Sequence, residues 1–540
     1  MAQDKRNPSI WHPFLFAVFP ILFLYSYNVG ELLVSEILIP STILLLGFSL
    51  LGVFLCLWGL GKKLGDIRKA GFITTLFLFL FYSYGHFHSL IEQVLRRFPF
   101  LEISLGGFIW GPNKYHVLLY SLIFFGGTAF ILRARKALNE ATRVGNFISV
   151  ILVLICFIRI SSHFLQSPSY SKKSEGNNFV PNQGLHRLGP EAEYLPNIFY
   201  IILDSYAHED TLREFYDYDN REFFLFLEGK GFIVADKSLA NYPFTFLSLT
   251  SSLNMRYLDD LIDKVGRDSK DKTAPYQLIR DNQVVRFLRQ YGYKFVLFPS
   301  GFQPTTQNEN ADFIVNNMKW SDAFTLLLLD TTILKPFVVK IFREDERERV
   351  LATFRMIPEV DQFIPGPKFI LAHFLVPHPP FLFGPQGEKT SYDSMQIKVY
   401  GDVWKYKKPY LDQLIFVTQK TKEMISRILA ESRHEPIIIL QSDHGPEYTE
   451  GWESPSNNFI REHMRILNAY YLPEAVKPHV YASLSPVNSF RLLFRYFFKA
   501  DLELLEDISY FSEQERQYNV FDVTKILNDG WEKMTGAGKK

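Results

Sequence analysis

The chain has 540 residues, long enough for more than one domain. Its 58 Lys and Arg almost balance its 57 Asp and Glu, so bulk charge gives no case for nucleic acid as a partner. Both cysteines, Cys56 and Cys156, lie inside apolar runs, which excludes a disulfide framework.

Apolar runs over 10–28, 36–59, 70–88, 115–132 and 146–165 each approach the ~20 residues that a helix needs to cross a hydrocarbon core. They predict a bundle of five transmembrane helices over residues 1–165. Lys5 and Arg6 precede the first run, Lys62, Lys63, Arg68 and Lys69 lie in the second loop, and Arg133, Arg135, Lys136 and Arg143 in the fourth. The first loop has no Lys or Arg, and the third has only Arg96, Arg97 and Lys114. This bias predicts a multi-pass protein of the plasma (inner) membrane, with a cytoplasmic N-terminus and everything after residue 165 outside. Arg159, near the outer end of the fifth run, reads as a snorkelling arginine rather than a phosphate contact. His86 and His88 read as interfacial residues rather than ligands.

Residues 166–194, rich in Ser, Asn, Gly and Pro, read as a linker. An extracytoplasmic domain is then expected over 195–530, followed by a polar tail, 531–540. Strands are predicted at 197–203, 294–298, 368–376, 437–440 and 466–472, with helical segments between them around 211–227, 409–432 and 487–498. That alternation predicts an α/β domain with a mainly parallel, doubly wound sheet. The charge run 342–350 reads as a solvated helix face. The apolar stretch 324–342, interrupted by Asp330, Lys335, Pro336 and Lys340, reads as a core helix, or else a membrane-facing surface helix, rather than a sixth span.

Three polar motifs fall where predicted strands end, which is where chemistry gathers in open α/β sheets. Asp204 follows the first strand, Asp443 and His444 follow the wholly apolar run 437–440, and His378 lies just past the strand 368–376. Thr245 begins a helix-like segment that also carries Ser248, Thr250, Ser251 and Ser252. Asp204, Thr245, Asp443 and His444 offer three oxygens and one imidazole nitrogen, a donor set suited to one divalent metal ion such as Zn²⁺ or Mn²⁺. Coordination and a helix N-terminus would both favour the Thr245 alkoxide. Ser248 or Thr250 takes that place if the register slips by a turn. His373, inside its strand, reads as a core histidine, and His463 as a surface residue in preference to one that approaches the metal from the next strand. Asn241 and Arg491 are further candidates for phosphate or glycan contact.

With these motifs in order, residues 195–500 resemble the alkaline phosphatase superfamily in its sulfatase-like branch, most of all the membrane-anchored lipoteichoic acid synthases and phosphoethanolamine transferases. The resemblance is carried by Asp204, by Thr245 in a P-x-T-x(5)-S context, by His378 before Pro-Pro-Phe, and by Asp443-His444-Gly445. It implies Thr245 as the nucleophile of a phospho-enzyme, Asp204, Asp443 and His444 as metal ligands, and His378 as a substrate contact. Two departures stand out. Asp204 occupies a position that is usually Glu in the five-span transferases, and the cysteine motif that generates formylglycine in classical sulfatases is missing from the soluble half. The resemblance thus implies a phosphotransferase working from a membrane lipid donor to an envelope glycan or lipid acceptor. A phosphodiesterase or sulfatase-like hydrolase is the alternative, and an inactive scaffold for envelope assembly a further one. Oligomeric state has no signal in the sequence.

Overall fold

The computed structural model describes residues 8–29, 40–97, 103–105, 108–110, 112–134, 138–166, 195–315, 323–390, 402–449, 452 and 454–535. The predicted linker falls almost wholly outside these residues. The chain forms two compact units, Met1–Ser169 with Trp320–Phe342, and Tyr170–Lys319 with Arg343–Lys540.

The first unit contains the apolar helices His12–Tyr27, Pro40–Leu64, Ile67–Arg97, Pro112–Arg133 and Asn139–Gln166, with a small hairpin of β1 (Ile103–Leu105) and β2 (Phe108–Trp110). Four stretches are long and apolar enough to cross a membrane: Thr42–Leu64, Ile67–His88, Lys114–Arg133 and Asn139–His163. The first helix is not. Its 16 residues rise about 24 Å, against a hydrocarbon core of about 30 Å. Among the described residues, four of the five predicted spans thus have full length, and the first coincides with this shorter apolar helix. Phe48, Trp58, Phe125, Phe130 and Phe147 are exposed on these helices, as expected of surfaces that meet lipid. Arg159 is exposed as well, with its guanidinium 5.0 Å from the centre of the Tyr27 ring.

The stretch predicted as a core helix of the soluble domain clusters instead with this helical unit. Helix Ala323–Asp330 sets Phe324 and Leu328 against Ile21, Leu24 and Tyr25. The turn behind it is bonded to a membrane helix through the backbone: Gly85 N–H donates to the Thr331 carbonyl at 2.9 Å, and Ile333 N–H to the Phe81 carbonyl at 3.0 Å. Only glycine permits this approach, because a Cβ at position 85 would stand 2.1 Å from the Asp330 carbonyl oxygen. The charges that argued against a membrane setting pair with each other, Lys335 Nζ lying 2.9 Å from Asp330 Oδ2.

The second unit is built on a seven-stranded sheet in the order β4-β9-β8-β3-β7-β5-β6. Its strands are β3 (Ile198–Leu203), β4 (Ile233–Val234), β5 (Lys294–Phe298), β6 (Phe313–Ile314), β7 (Lys368–Phe374), β8 (Ile437–Gln441) and β9 (Asn468–Tyr471). All pairings are parallel except those of β9, which runs antiparallel to both β8 and β4. Alternate residues of β3 enter two separate cores. Phe199, Ile201 and Leu203 join one, and Ile198, Tyr200 and Ile202 the other. β8 divides in the same way, Ile438 and Leu440 from Ile437 and Ile439. Burial on both faces explains why these strands read as continuous apolar runs, and each buried aliphatic side chain stabilises the fold by roughly 1.5–3 kcal/mol.

The charge run is less solvated than its composition suggests. Within helix Lys335–Met356, Glu346 and Arg349 are buried and paired with each other. Arg347 donates to the carbonyls of Leu382 and Gly387, and its guanidinium lies over the Phe383 ring. These contacts tie the helix to the loop that follows His378.

Candidate functional site

β8, β3 and β7 are adjacent and parallel, with Ile202 opposite Gln441 and Leu203 opposite Phe374. Their carboxyl ends therefore release Asp204, the 442–445 turn and the 375–378 segment at one edge of the sheet. Asp204 is held by its own N–H, which donates to the Phe374 carbonyl at 2.9 Å. The next residue, Ser205, adopts a left-handed conformation with φ 61°, turning the chain sharply out of the strand. Its N–H faces Asp443 Oδ1 at 3.3 Å, and its hydroxyl bonds to Asp204 Oδ1 at 3.1 Å.

The 442–445 turn is braced from three directions. Ser442 Oγ accepts from Tyr206 N–H at 2.9 Å and donates to the His444 carbonyl at 2.6 Å. Ser248 Oγ, on helix Thr245–Asn254, donates to the Asp443 carbonyl at 2.9 Å. Gly445 donates to the His463 carbonyl at 2.6 Å, and a Cβ there would lie 2.3 Å from the Glu462 carbonyl oxygen. This close approach is why a glycine follows the histidine.

His444 Nδ1 bonds to the Gly445 carbonyl at 2.9 Å, so the proton sits on Nδ1 and Nε2 is presented inward as an acceptor. That nitrogen lies 3.7 Å from Asp204 Oδ1, 3.4 Å from Asp443 Oδ2 and 3.1 Å from Thr245 Oγ1. Asp204, Asp443 and His444 are buried, and one donor atom of each falls within 4.8 Å of the other two. Asp443 Oδ2 is buried and accepts no hydrogen bond among the described residues. Two buried carboxylates with an orphan oxygen are costly unless a cation compensates them, and two oxygens with one imidazole nitrogen fit a divalent ion. Thr245 is the first residue of its helix, where the backbone dipole favours negative charge.

The electrostatics agree with this arrangement. Burial works against ionisation of Asp204, but His378, His373 and His444 outweigh it and hold the carboxyl well below the usual range. For His444, burial alone lowers the pKa, yet the Asp443 and Asp204 carboxylates leave it above its ordinary value.

Among the other candidates, His378 is buried just past β7, its ring centroid 6.3 Å from that of His444. Its Nδ1 bonds to the Pro379 carbonyl at 2.6 Å, and its backbone N–H to the Asp204 carbonyl at 3.2 Å. Asn241 is not brought into the cluster. Its amide nitrogen donates to Ser485 Oγ and the Ile508 carbonyl, and its oxygen accepts from Val487 N–H, which leaves it anchoring helix Pro486–Tyr496. Arg491 is likewise turned to the backbone, on the carbonyls of Glu503 and Met255. Of the substitutes for Thr245, Ser248 holds Asp443 from behind and Thr250 bonds to the Phe246 carbonyl, so neither takes its place.

Three residues at the site escape the sequence reading. His373 is more than core: Nδ1 contacts Thr305 Oγ1 at 3.1 Å, and Nε2 lies 3.5 Å from Asp204 Oδ2. Inward direction on a strand alternates with period two, and His373 stands opposite Ile202, a pairing visible only once the register is known. His463 is fully buried rather than on the surface. It lies on helix Asn457–Met464, stacks on His444 with centroids 4.6 Å apart, and bonds to the Pro243 carbonyl at 2.7 Å. Burial pushes its pKa down to about 3, so it is neutral. Glu447 is also buried, and burial pushes its carboxyl up to about 7 while the Trp452 indole N–H donates to it at 2.9 Å.

No family model matches the chain, and no curated protein matches it. Solved structures do show similarity. The C-terminal periplasmic domain of EptC from Escherichia coli, in complex with Zn, is 12% identical at a TM-score of 0.42, covering 62% of this chain and 94% of that one. The integral membrane lipooligosaccharide phosphoethanolamine transferase A of Neisseria meningitidis is 10% identical at a TM-score of 0.37, covering 89% and 95%. The phosphonate monoester hydrolase of Agrobacterium radiobacter is 12% identical at 0.38, covering 63% and 83%. At these identities and TM-scores, no residue role is carried over from them.

Proposed function

We propose that the chain is a membrane-anchored, metal-dependent phosphotransferase whose catalytic domain works outside the cytoplasm, anchored in the plasma (inner) membrane with its N-terminus inside and the short apolar helix His12–Tyr27 as the first of five crossings. One observation carries this reading: the Thr245 hydroxyl, at the first residue of a helix, lies 3.1 Å from His444 Nε2 beside two buried carboxylates. A divalent ion, Zn²⁺ or Mn²⁺ by the chemistry of the donors, would be held by Asp204, Asp443, His444 and the Thr245 oxygen, and supplies Lewis acidity toward that oxygen and the phosphoryl group.

Thr245 Oγ1 loses its proton and attacks the phosphorus of a lipid-borne phosphodiester. The new O–P bond replaces the bond to the lipid alcohol, which leaves with a proton. His378, buried beside the cluster, contacts the phosphoryl oxygens. A hydroxyl of an envelope glycan or lipid then attacks the phospho-threonine, and Thr245 is released as the hydroxyl. Hydrolysis is the second reading, with water as acceptor. It is favoured by Asp204, where the five-span transferases that the sequence resembles usually have Glu.

Mass spectrometry of the purified protein after exposure to phospholipid vesicles tests both. Transfer predicts a phospho-adduct on Thr245 that persists until an acceptor is added and is missing in Thr245→Ala. Prompt release of free headgroup phosphate without acceptor supports hydrolysis. Tight metal binding with no adduct and no product under either condition overturns both.

A further inference from the structure

A second polar cluster lies within the helical unit. The His116 ring is fully buried, and neither of its nitrogens has a hydrogen-bond partner among the described residues. It lies flat on Tyr84, with centroids 3.9 Å apart and an interplanar angle of 4°, and edge-on to Tyr120 at 4.2 Å. Its plane is therefore fixed, and its donor and acceptor stay unmet, a costly arrangement that calls for a polar occupant. His88 is buried 5.7 Å away, stacked on the same Tyr84 ring at 5.8 Å, and feels the charges of Lys335 and Asp330.

Lys335 opens helix Lys335–Met356, so the positive end of the helix dipole lies at its backbone. Asp330 is its partner in this structure. Two imidazoles, an ammonium and a helix start make a set of donors, with one carboxylate facing them. The depth of the cluster is telling. His88 ends one apolar span and His116 lies two residues into the next, so both belong to the same membrane face, at the level of lipid phosphates. On the topology proposed above, that face is the extracytoplasmic one. Segment 323–342 closes the cluster through the Gly85 contact and thereby delivers Lys335.

We propose that His116, His88 and Lys335 bind the phosphate of a phospholipid headgroup at the outer membrane face. A neutral imidazole N–H and the Lys335 ammonium donate to phosphate oxygens, and the acyl chains remain in the bilayer. The proposal rests on the reading that the donor is a phospholipid, and it assigns that donor a holding site separate from Thr245.

Native mass spectrometry of the full chain in detergent, titrated with phosphatidylglycerol, diacylglycerol or inorganic phosphate, provides the test. Phosphatidylglycerol is expected to bind and diacylglycerol not to. His116→Phe keeps the ring stack and removes both nitrogens, and should weaken phosphatidylglycerol binding about tenfold or more. Lys335→Met should do the same while leaving His116 in place. Thr245→Ala should bind lipid like the unaltered protein, so failed catalysis and failed lipid holding are told apart. Equal binding of diacylglycerol overturns the proposal, as does inorganic phosphate that displaces the lipid at equal concentration. Undiminished binding in folded His116→Phe and Lys335→Met also overturns it.

Discussion

Thr245 Oγ1 and His444 Nε2 stand 3.1 Å apart although 199 residues separate them in the chain. Two strand ends and one helix start must converge to make this contact, and Ser248 fixes it by bonding to the Asp443 carbonyl. Substituting Thr245 should therefore touch chemistry without touching the fold. Thr245→Ala should lose at least about 10³-fold in turnover, Thr245→Ser should keep measurable activity, and thermal unfolding should be unchanged in both. A Thr245→Ala enzyme within tenfold of the original would remove the nucleophile assignment.

His373 acts on the cluster through Asp204, from which its Nε2 is 3.5 Å away. Groups that orient ligands in this way typically govern metal affinity. His373→Ala should weaken Zn²⁺ or Mn²⁺ binding about 10–100-fold in competition with a chelator. His373→Gln, which can still donate toward Asp204, should recover part of the loss. Equal metal affinity in all three proteins would reduce His373 to a packing residue.

Glu447 should leave a mark on stability against pH. Burial raises its carboxyl from 4.5 to about 7 in the folded chain. The folded state then binds this proton more tightly than the unfolded state does. The associated stability is complete below pH 4.5 and disappears as pH rises through about 7, a change on the order of 3 kcal/mol. Urea unfolding of the chelator-treated protein at pH 5 and pH 8 measures it. Glu447→Gln should flatten the slope and gain stability at pH 8. A slope that survives the substitution assigns the effect to other groups.

Asn241 distinguishes anchoring from substrate contact. Its amide joins the chain ahead of Thr245 to the start of helix Pro486–Tyr496. Asn241→Ala leaves the Val487 N–H and Ser485 hydroxyl without that partner, and should lower stability by about 1–3 kcal/mol. The KM for a phosphodiester substrate should stay unchanged. A large rise in KM with normal unfolding would restore Asn241 as a substrate residue.

The central strands were legible because both of their faces are buried, so β3 and β8 appear as unbroken aliphatic runs that stop at Asp204 and Asp443. Short motifs at those stops then mark the site without any knowledge of packing. Roles that depend on which way an inward side chain points were not legible. His373 and His463 have the composition of a strand core and of a polar helix, and only register and helix rotation bring the one to Asp204 and the other to His444. Segment 324–342 misled for a related reason. Asp330 and Lys335 look too costly for a membrane unit when counted singly, but they neutralise each other, and the glycine that admits them lies about 245 residues earlier in the chain.

That glycine contact sets an order of assembly. Helices Ile67–Arg97 and Pro112–Arg133 emerge from the ribosome early, yet the piece that docks at Gly85 is not made until synthesis passes residue 333. By then β3, β4, β5 and β6 have been made, whereas β7, β8 and β9 have not. Completion of the helical unit is thus threaded through the middle of the α/β domain's synthesis. A fragment cut at residue 195 to isolate that domain would carry an apolar helix whose docking partners had been left behind.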